Sequence, residues 1–138
     1  MEARKFALVV AAAGLLSAPA SSHHSFAAEY DASKPVVLKG VVTGVDWTNP
    51  HVHFYVDVKD ENGNINNWDL ETGSPNGLAR AGWGKNSLKV GDEVTVHGFM
   101  AKDGSRLANA RTVHLADGRK VFAGTSSEGA SVQEGERK

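Results

Sequence analysis

Ser74-Pro-Asn-Gly-Leu-Ala-Arg-Ala-Gly82 is the stretch whose place in the chain decides the fold. Ser74 is a favourable helix N-cap and Pro75 suits the first helical position, so the sequence predicts one or two turns of helix here. The chain on either side is rich in Val, Thr and Gly and alternates apolar with polar residues, a pattern typical of strands. The number of strands before and after this helix therefore defines the architecture.

Three strands are predicted before the helix and two after it. Asn49-Pro50 and Asn62-Gly63 are turn signals that separate the first three strands. This order is that of an OB-type barrel. We therefore predict an all-β (β-rich) fold, a small five-stranded OB-like Greek-key barrel with one short helix between strands 3 and 4. The predicted strands are 36–47, 51–58, 65–70, 93–100 and 107–115, with a short extension at 119–122.

The composition of the chain excludes several classes of function. A length of 138 residues suits one domain with a single core. No cysteine is present, which excludes disulfides, thiolate metal sites and a cysteine nucleophile. The formal net charge is −1, and Lys and Arg cluster at most in pairs, so nucleic acid is not an expected partner. The six histidines are then the most conspicuous chemical resource.

The N-terminus is predicted to be a cleaved signal peptide. A charged start precedes a short apolar run, and the small residues at 18–20 suit signal peptidase. Cleavage after Ala20 and cleavage after Ser22 both fit. The mature protein is expected to be periplasmic or secreted, with no stable membrane anchor after cleavage. The predicted organisation is a signal peptide (1–20), an N-terminal extension (21–35), the barrel (36–122) and a disordered tail (123–138).

Three motifs give the chain a resemblance to a known family. They are His23-His24-Ser25-Phe26, the run 41–51 that ends in Trp47-Thr-Asn-Pro-His51, and Val90-Gly-Asp-Glu-Val-Thr-Val-His-Gly98. Together they resemble a bacterial secreted family known only as a domain of unknown function, DUF6152, over roughly residues 21–122. The resemblance implies export and an OB-like barrel, and it implies no activity.

His51 and His53 are the first candidate metal ligands. They lie two residues apart on a predicted strand, so both side chains leave the face opposite Val52 and Phe54. Two neutral imidazoles about 7 Å apart at Cα can bind a transition metal if a third ligand comes from a neighbouring strand. The alternative is a polar outer face on which both histidines hydrogen-bond to turns.

Further histidines extend this candidate set. His97 is predicted on the outward face of its strand, and its distance from His51 depends on strand pairing that the sequence does not specify. Cleavage after Ala20 would leave Ser21-Ser22-His23, whose amine, amides and imidazole suit square-planar Cu(II) or Ni(II). Cleavage after Ser22 would instead expose the amine and ring of His23. The predicted metal ligands are therefore His23, His24, His51, His53 and His97, with Cu(II) as the candidate cofactor.

Aromatic side chains offer a second kind of binding surface. An OB-type barrel commonly binds ligands across its second and third strands and the adjoining loops. Trp47, Tyr55 and Phe99 are the candidate ligand-face residues, whereas Trp68 and Trp83 are expected to fill the core.

No sequence motif indicates an enzyme. The carboxylates show no pair at a catalytic spacing, and no Gly-x-Ser-x-Gly, phosphate loop or His-Glu-x-x-His motif occurs. The favoured hypothesis is an exported binding or accessory protein that takes up a transition metal, copper, or a small ligand. The alternatives are an adaptor for a periplasmic protein partner, with incidental histidines, and a metal-dependent enzyme.

Overall fold

The computed structural model describes residues 26–122, which form two short helices and six strands. The predicted signal peptide and tail, and His23 and His24, lie outside the described residues. Neither helix within residues 26–122 has the length and apolar character needed to cross a lipid bilayer. In chain order the elements are α1 (Phe26–Glu29), β1 (Tyr30–Asp46), β2 (His53–Lys59), β3 (Ile65–Glu71), α2 (Pro75–Arg80), β4 (Glu93–Ala101), β5 (Leu107–Leu115) and β6 (Lys120–Phe122).

Five of the strands form a closed ring. β1 pairs antiparallel with both β2 and β4, β2 pairs with β3, and β4 pairs with β5. A short parallel pairing of β3 with β5 closes the ring, and α2 lies between β3 and β4 in the chain. The prediction of an all-β, five-stranded OB-like barrel is confirmed. β6 extends the sheet beside β5.

β1 is longer than the predicted strand because it pairs with both β4 and β2. It begins at Tyr30 rather than at residue 36, and its first half pairs with β4 and its second half with β2. At Gly40, where the two pairings overlap, an added Cβ would lie 2.0 Å from the Asp57 carbonyl oxygen, so this close approach requires glycine. The first residues of β1 are not predictable from the sequence, because Asp31-Ala-Ser-Lys-Pro35 lacks strand alternation.

The helix between strands 3 and 4 forms as its sequence predicts. The Ser74 side chain accepts a hydrogen bond from the Gly77 amide at 3.1 Å, and Pro75 begins α2. Leu78 on α2 and Trp83 just after it are buried in the barrel core. Trp68 is partly buried and packs against that core. Leu78 and Trp83 therefore anchor this helical segment to the barrel core.

Candidate functional site

β2 begins at His53 rather than at the predicted residue 51, and His51 precedes it in the chain with Val52 between them. Both histidine side chains lie on the outer face of the barrel, as the alternation predicts. Val52 between them and Phe54 after them point into the core and are only 2% and 1% exposed. The two histidine side chains are 29% and 28% exposed. One side of this histidine pair is therefore open to solvent.

A carboxylate on β3 contacts each of these rings. His51 Nδ1 lies 2.7 Å from Glu71 Oε1, and His53 Nδ1 lies 2.6 Å from Asp69 Oδ1. An ionised carboxylate can only accept a hydrogen bond, so each Nδ1 carries the proton and the neutral ring keeps its lone pair on Nε2. We refer to His51 and His53 as the carboxylate-bonded pair.

Tyr30, the first residue of β1, belongs to the same cluster. Its hydroxyl donates a hydrogen bond to Glu71 Oε2, and the side chain is buried. Burial, followed by the hydrogen bond to Glu71, raises the pKa of Tyr30 well above its usual range, so the phenol stays neutral. Phe26 stacks on the Tyr30 ring, with centroids 5.6 Å apart. The start of β1 is thus held against the carboxylate of Glu71.

His53 binds a proton more readily than a free histidine. The hydrogen bond to Asp69 raises the pKa of His53 above its ordinary value of 6.5, while burial opposes the rise. The negative charges of Asp69, Glu71 and Asp46 add to the increase. The ring is therefore a comparatively basic group whose charge depends on pH near neutrality.

Thr72 fixes the main chain between the two histidines. Its hydroxyl donates to the Val52 carbonyl at 2.7 Å, and its amide donates to the same oxygen at 2.9 Å. The Val52 amide in turn donates to the Gly73 carbonyl at 2.9 Å. Because Thr72 directly follows Glu71, these bonds hold the histidine segment and its carboxylates in one rigid unit.

His97 lies away from the carboxylate-bonded pair and beside His114. The two rings have centroids 5.3 Å apart and planes at 61°. In β1, the partner of His97 is Val37 and the partner of His53 is Asp46, which lie nine residues apart along that strand. Around the other side of the barrel, β3 and β5 lie between β2 and β4. The structure therefore forms two separate histidine pairs.

Neither pair is a complete metal site by itself. Within the part of the chain from 26 to 122, no three His, Asp or Glu side chains converge so that they could hold a metal ion. His51 and His53 offer two Nε2 atoms, and His97 and His114 offer two further rings. Any ion at either place needs its remaining ligands from water, from a small molecule or from another part of the chain.

The three predicted ligand-face aromatics do not share one surface. Trp47 is half-buried and packs against the barrel core. Phe99 contacts the Phe26 ring, and the Arg111 guanidinium lies 5.5 Å above the Phe99 centroid. Tyr55 lies on the outer face of β2, next to His53 along that face. Of the three, only Tyr55 neighbours the carboxylate-bonded pair.

Four residues of these clusters did not appear among the predicted site residues. The contacts of these residues depend on strand pairing and register, which determine the side chains that lie next to each other. The Asn62-Gly63 turn indicated that β3 returns beside β2, but it did not give the register that brings the β3 carboxylates to the histidines. The start of β1 and the pairing of β4 with β5 gave no comparable signal. The four residues are Tyr30, Asp69, Glu71 and His114.

The ring of five strands with its interposed helix places the protein in the class of OB-type barrels, here with a histidine–carboxylate cluster on the outer face. A family described as a family of unknown function (DUF6152) matches residues 10–110. The chain belongs to this family, in agreement with the resemblance carried by its motifs. No curated protein and no solved structure matches the chain.

Proposed function

We propose that the protein is an exported binding module that takes up a transition metal ion, Cu(II) foremost, through the carboxylate-bonded pair. The observation that carries this proposal is the contact of each Nδ1 with a carboxylate, at 2.7 Å for His51 and 2.6 Å for His53. Metal-ligating histidines typically donate their second ring N–H to a carboxylate or carbonyl, which fixes the tautomer and raises the basicity of the ligating nitrogen.

The solvent-facing side of the pair leaves room for an ion. With Nδ1 protonated, Nε2 is the ligand atom of each ring, and both rings leave the same face of one strand. His23 and His24, which the sequence predicts as ligands, precede Phe26 closely in the chain. Phe26 in turn stacks on Tyr30, the partner of Glu71. His23 and His24 are therefore candidates for the remaining ligands.

The donor set favours copper over harder ions. Imidazole nitrogens suit Cu, Zn and Ni, whereas Mg and Ca prefer oxygen ligands. The chain has no thiolate to offer, because it lacks cysteine. Among divalent first-row ions, Cu(II) generally binds a given nitrogen site most tightly. We propose a carrier or accessory role, in which the pair binds and releases the ion.

The test is a Cu(II) titration of the protein purified from the exported fraction. The ring signals of individual histidines are monitored by NMR during the titration. Sub-stoichiometric Cu(II) should broaden the signals of His51 and His53 first. The double variant His51→Ala/His53→Ala should bind Cu(II) on the order of 100-fold more weakly, because two imidazoles held in place are lost. Tyr55→Phe, on the same face of β2, is the matched control and should bind like the wild type.

A second variant separates the N-terminus from the barrel. Unchanged Cu(II) affinity in His51→Ala/His53→Ala would contradict the proposal. If His23→Ala/His24→Ala alone then abolished binding, the metal would belong to the processed N-terminus. If the wild type itself retained no Cu(II), the proposed Cu(II) site would be ruled out and a periplasmic protein partner would become the leading hypothesis. A native mass spectrum of the same sample reports the cleavage site and the bound metal together.

A further inference from the structure

His97 and His114 form a second pair that the proposed function does not use. They belong to neighbouring strands, where Thr95 lies opposite His114 and His97 lies opposite Thr112. The two histidines are thus diagonal neighbours on one face. Val113 and Leu115, on either side of His114, are buried, so the histidine points outward.

A β-bulge brings these two rings together. The register between β4 and β5 shifts between His97 and Gly98, so that Gly98 lies opposite Ala110 and His97 lies opposite Thr112. Without that extra residue in β5, His114 would fall on the opposite face from His97. At Gly98 an added Cβ would lie 2.0 Å from the Asn109 carbonyl oxygen, so glycine is required next to the bulge. Bulges of this kind often redirect a side chain.

The separation of the rings fits two ligands on one ion. Zinc binds an imidazole nitrogen at about 2.0–2.1 Å, which places the ion roughly 3.2 Å from the ring centroid. Two rings on one ion at the tetrahedral angle then have centroids about 5.2 Å apart. The observed separation is 5.3 Å. The centroid separation is therefore compatible with both rings binding the same ion.

The surroundings leave the other coordination positions open. Within residues 26–122, neither the His97 ring nor the His114 ring forms a hydrogen bond, in contrast to the rings of the carboxylate-bonded pair. An open groove of about 430 Å³ runs past His114, and one ammonium (Lys39) and one carboxylate (Glu93) line it. The groove is therefore close to electrically neutral, and it gives water or a small ligand access to a bound ion.

We infer that His97 and His114 form a second divalent transition-metal site, for Zn(II), Ni(II) or Cu(II), beside the groove that His114 lines. The site is weaker than one built from the carboxylate-bonded pair, because no carboxylate fixes the tautomer of either ring. It is independent of the proposed function, since none of its ligands belongs to the first pair.

Zn(II) is the probe, because it is diamagnetic and leaves each histidine ring signal visible by NMR. We expect the signals of His97 and His114 to shift together with one apparent affinity. In His114→Ala, the response of His97 should weaken on the order of tenfold or more, because the second imidazole no longer adds its effective concentration. Thr112→Ala, which changes the cross-strand partner of His97, is the matched control and should leave both shifts unchanged.

The same titration in the background His51→Ala/His53→Ala keeps the two sites distinguishable. Coupled shifts of His97 and His114 that persist there would support the second site even if the first pair bound nothing. An equal response of His97 in the wild type and in His114→Ala would overturn the inference. So would the absence of any shift at either ring up to about millimolar Zn(II).

Discussion

The two histidine pairs lie on the outer face of one barrel and differ in what surrounds them. His53 is the first residue of β2 and His51 lies two residues before it, and each ring contacts its own carboxylate. His97 and His114 come from two neighbouring strands, and their rings contact each other. Carboxylates thus fix the tautomer of His51 and His53, whereas His97 and His114 have no carboxylate partner within residues 26–122.

This difference shows that neighbouring side chains contribute to the chemistry of an outward histidine. Asp69 raises the pKa of His53 by accepting its hydrogen bond. Glu71 links His51 to the buried Tyr30 and so couples the first pair to the folding of the N-terminal end of β1. The His97–His114 pair has no such link. Substitutions around the first pair should therefore change both stability and binding, whereas substitutions of the second should change binding alone.

Glu71→Ala is expected to have the largest effect. It removes the acceptor of the buried Tyr30 hydroxyl and the partner of His51, so the free energy of unfolding should fall by about 3 kcal/mol. Urea denaturation measures this loss. Glu71→Gln should recover part of it, because the amide oxygen still accepts a hydrogen bond from Tyr30.

Glu93→Ala is the control for this change, since Glu93 is an exposed carboxylate on β4 next to the second pair. Its free energy of unfolding should stay within about 0.5 kcal/mol of the wild type. If Glu71→Ala and Glu93→Ala destabilised the protein equally, the buried cluster would have no special role in stability.

Asp69→Asn should have the next largest effect, on both proton and metal binding at His53. Loss of the carboxylate lowers the pKa of His53 toward 6.5 and weakens Cu(II) binding on the order of 10- to 100-fold. Because the folded-state pKa is raised, the stability from this contact is fully present below pH 6.5 and is lost as pH rises through the folded-state pKa.

The stability difference between wild type and Asp69→Asn should therefore be larger at about pH 5.5 than at about pH 8.5. Denaturation at the two pH values measures the stability difference, and an NMR titration of the His53 ring measures the change in its pKa. Asp57→Asn, two positions along β2 from Tyr55 on the outer face, is the control for charge alone. A pH-independent difference would mean that Asp69 does not act through the protonated ring.

Thr72→Val should have the smallest of these effects. It removes the hydroxyl that donates to Val52 between the two histidines, so the free energy of unfolding should fall by about 1 kcal/mol. Ring signals of His51 and His53 should shift, while those of His97 and His114 stay in place. Thr95→Val, next to the second pair, is the matched control. A shift at His97 in Thr72→Val would show that the two regions are not independent.

Much of the fold was predictable because the pattern that encodes it is local. Alternation along His51–Val58 correctly put both histidines outside and Val52 and Phe54 inside, and Ser74-Pro75 correctly marked the helix. The start of β1 was not predictable in the same way. Tyr30 is buried, and its hydroxyl donates a hydrogen bond to Glu71, which lies 41 residues further along the chain.

The carboxylate partners were only partly predictable. A two-residue Asn62-Gly63 turn would have put Thr72 opposite His53. The observed loop is longer, with the Asp60 amide bonded to the Asn64 carbonyl, and this puts Glu71 there instead. A change of one residue in register moves a side chain to the other face of the sheet. The identity of each histidine's partner therefore depends on the loop geometry.

Local sequence patterns specify the class of fold, the order of strands and helix, and the outward direction of His51, His53 and His97. These follow from a two-residue period and from turn and cap residues, which act over a few positions along the chain. Only the tertiary structure decided that His51 meets Glu71, that His53 meets Asp69 and that His97 meets His114. Those contacts depend on ring closure, loop length and a bulge, which join segments far apart in the sequence.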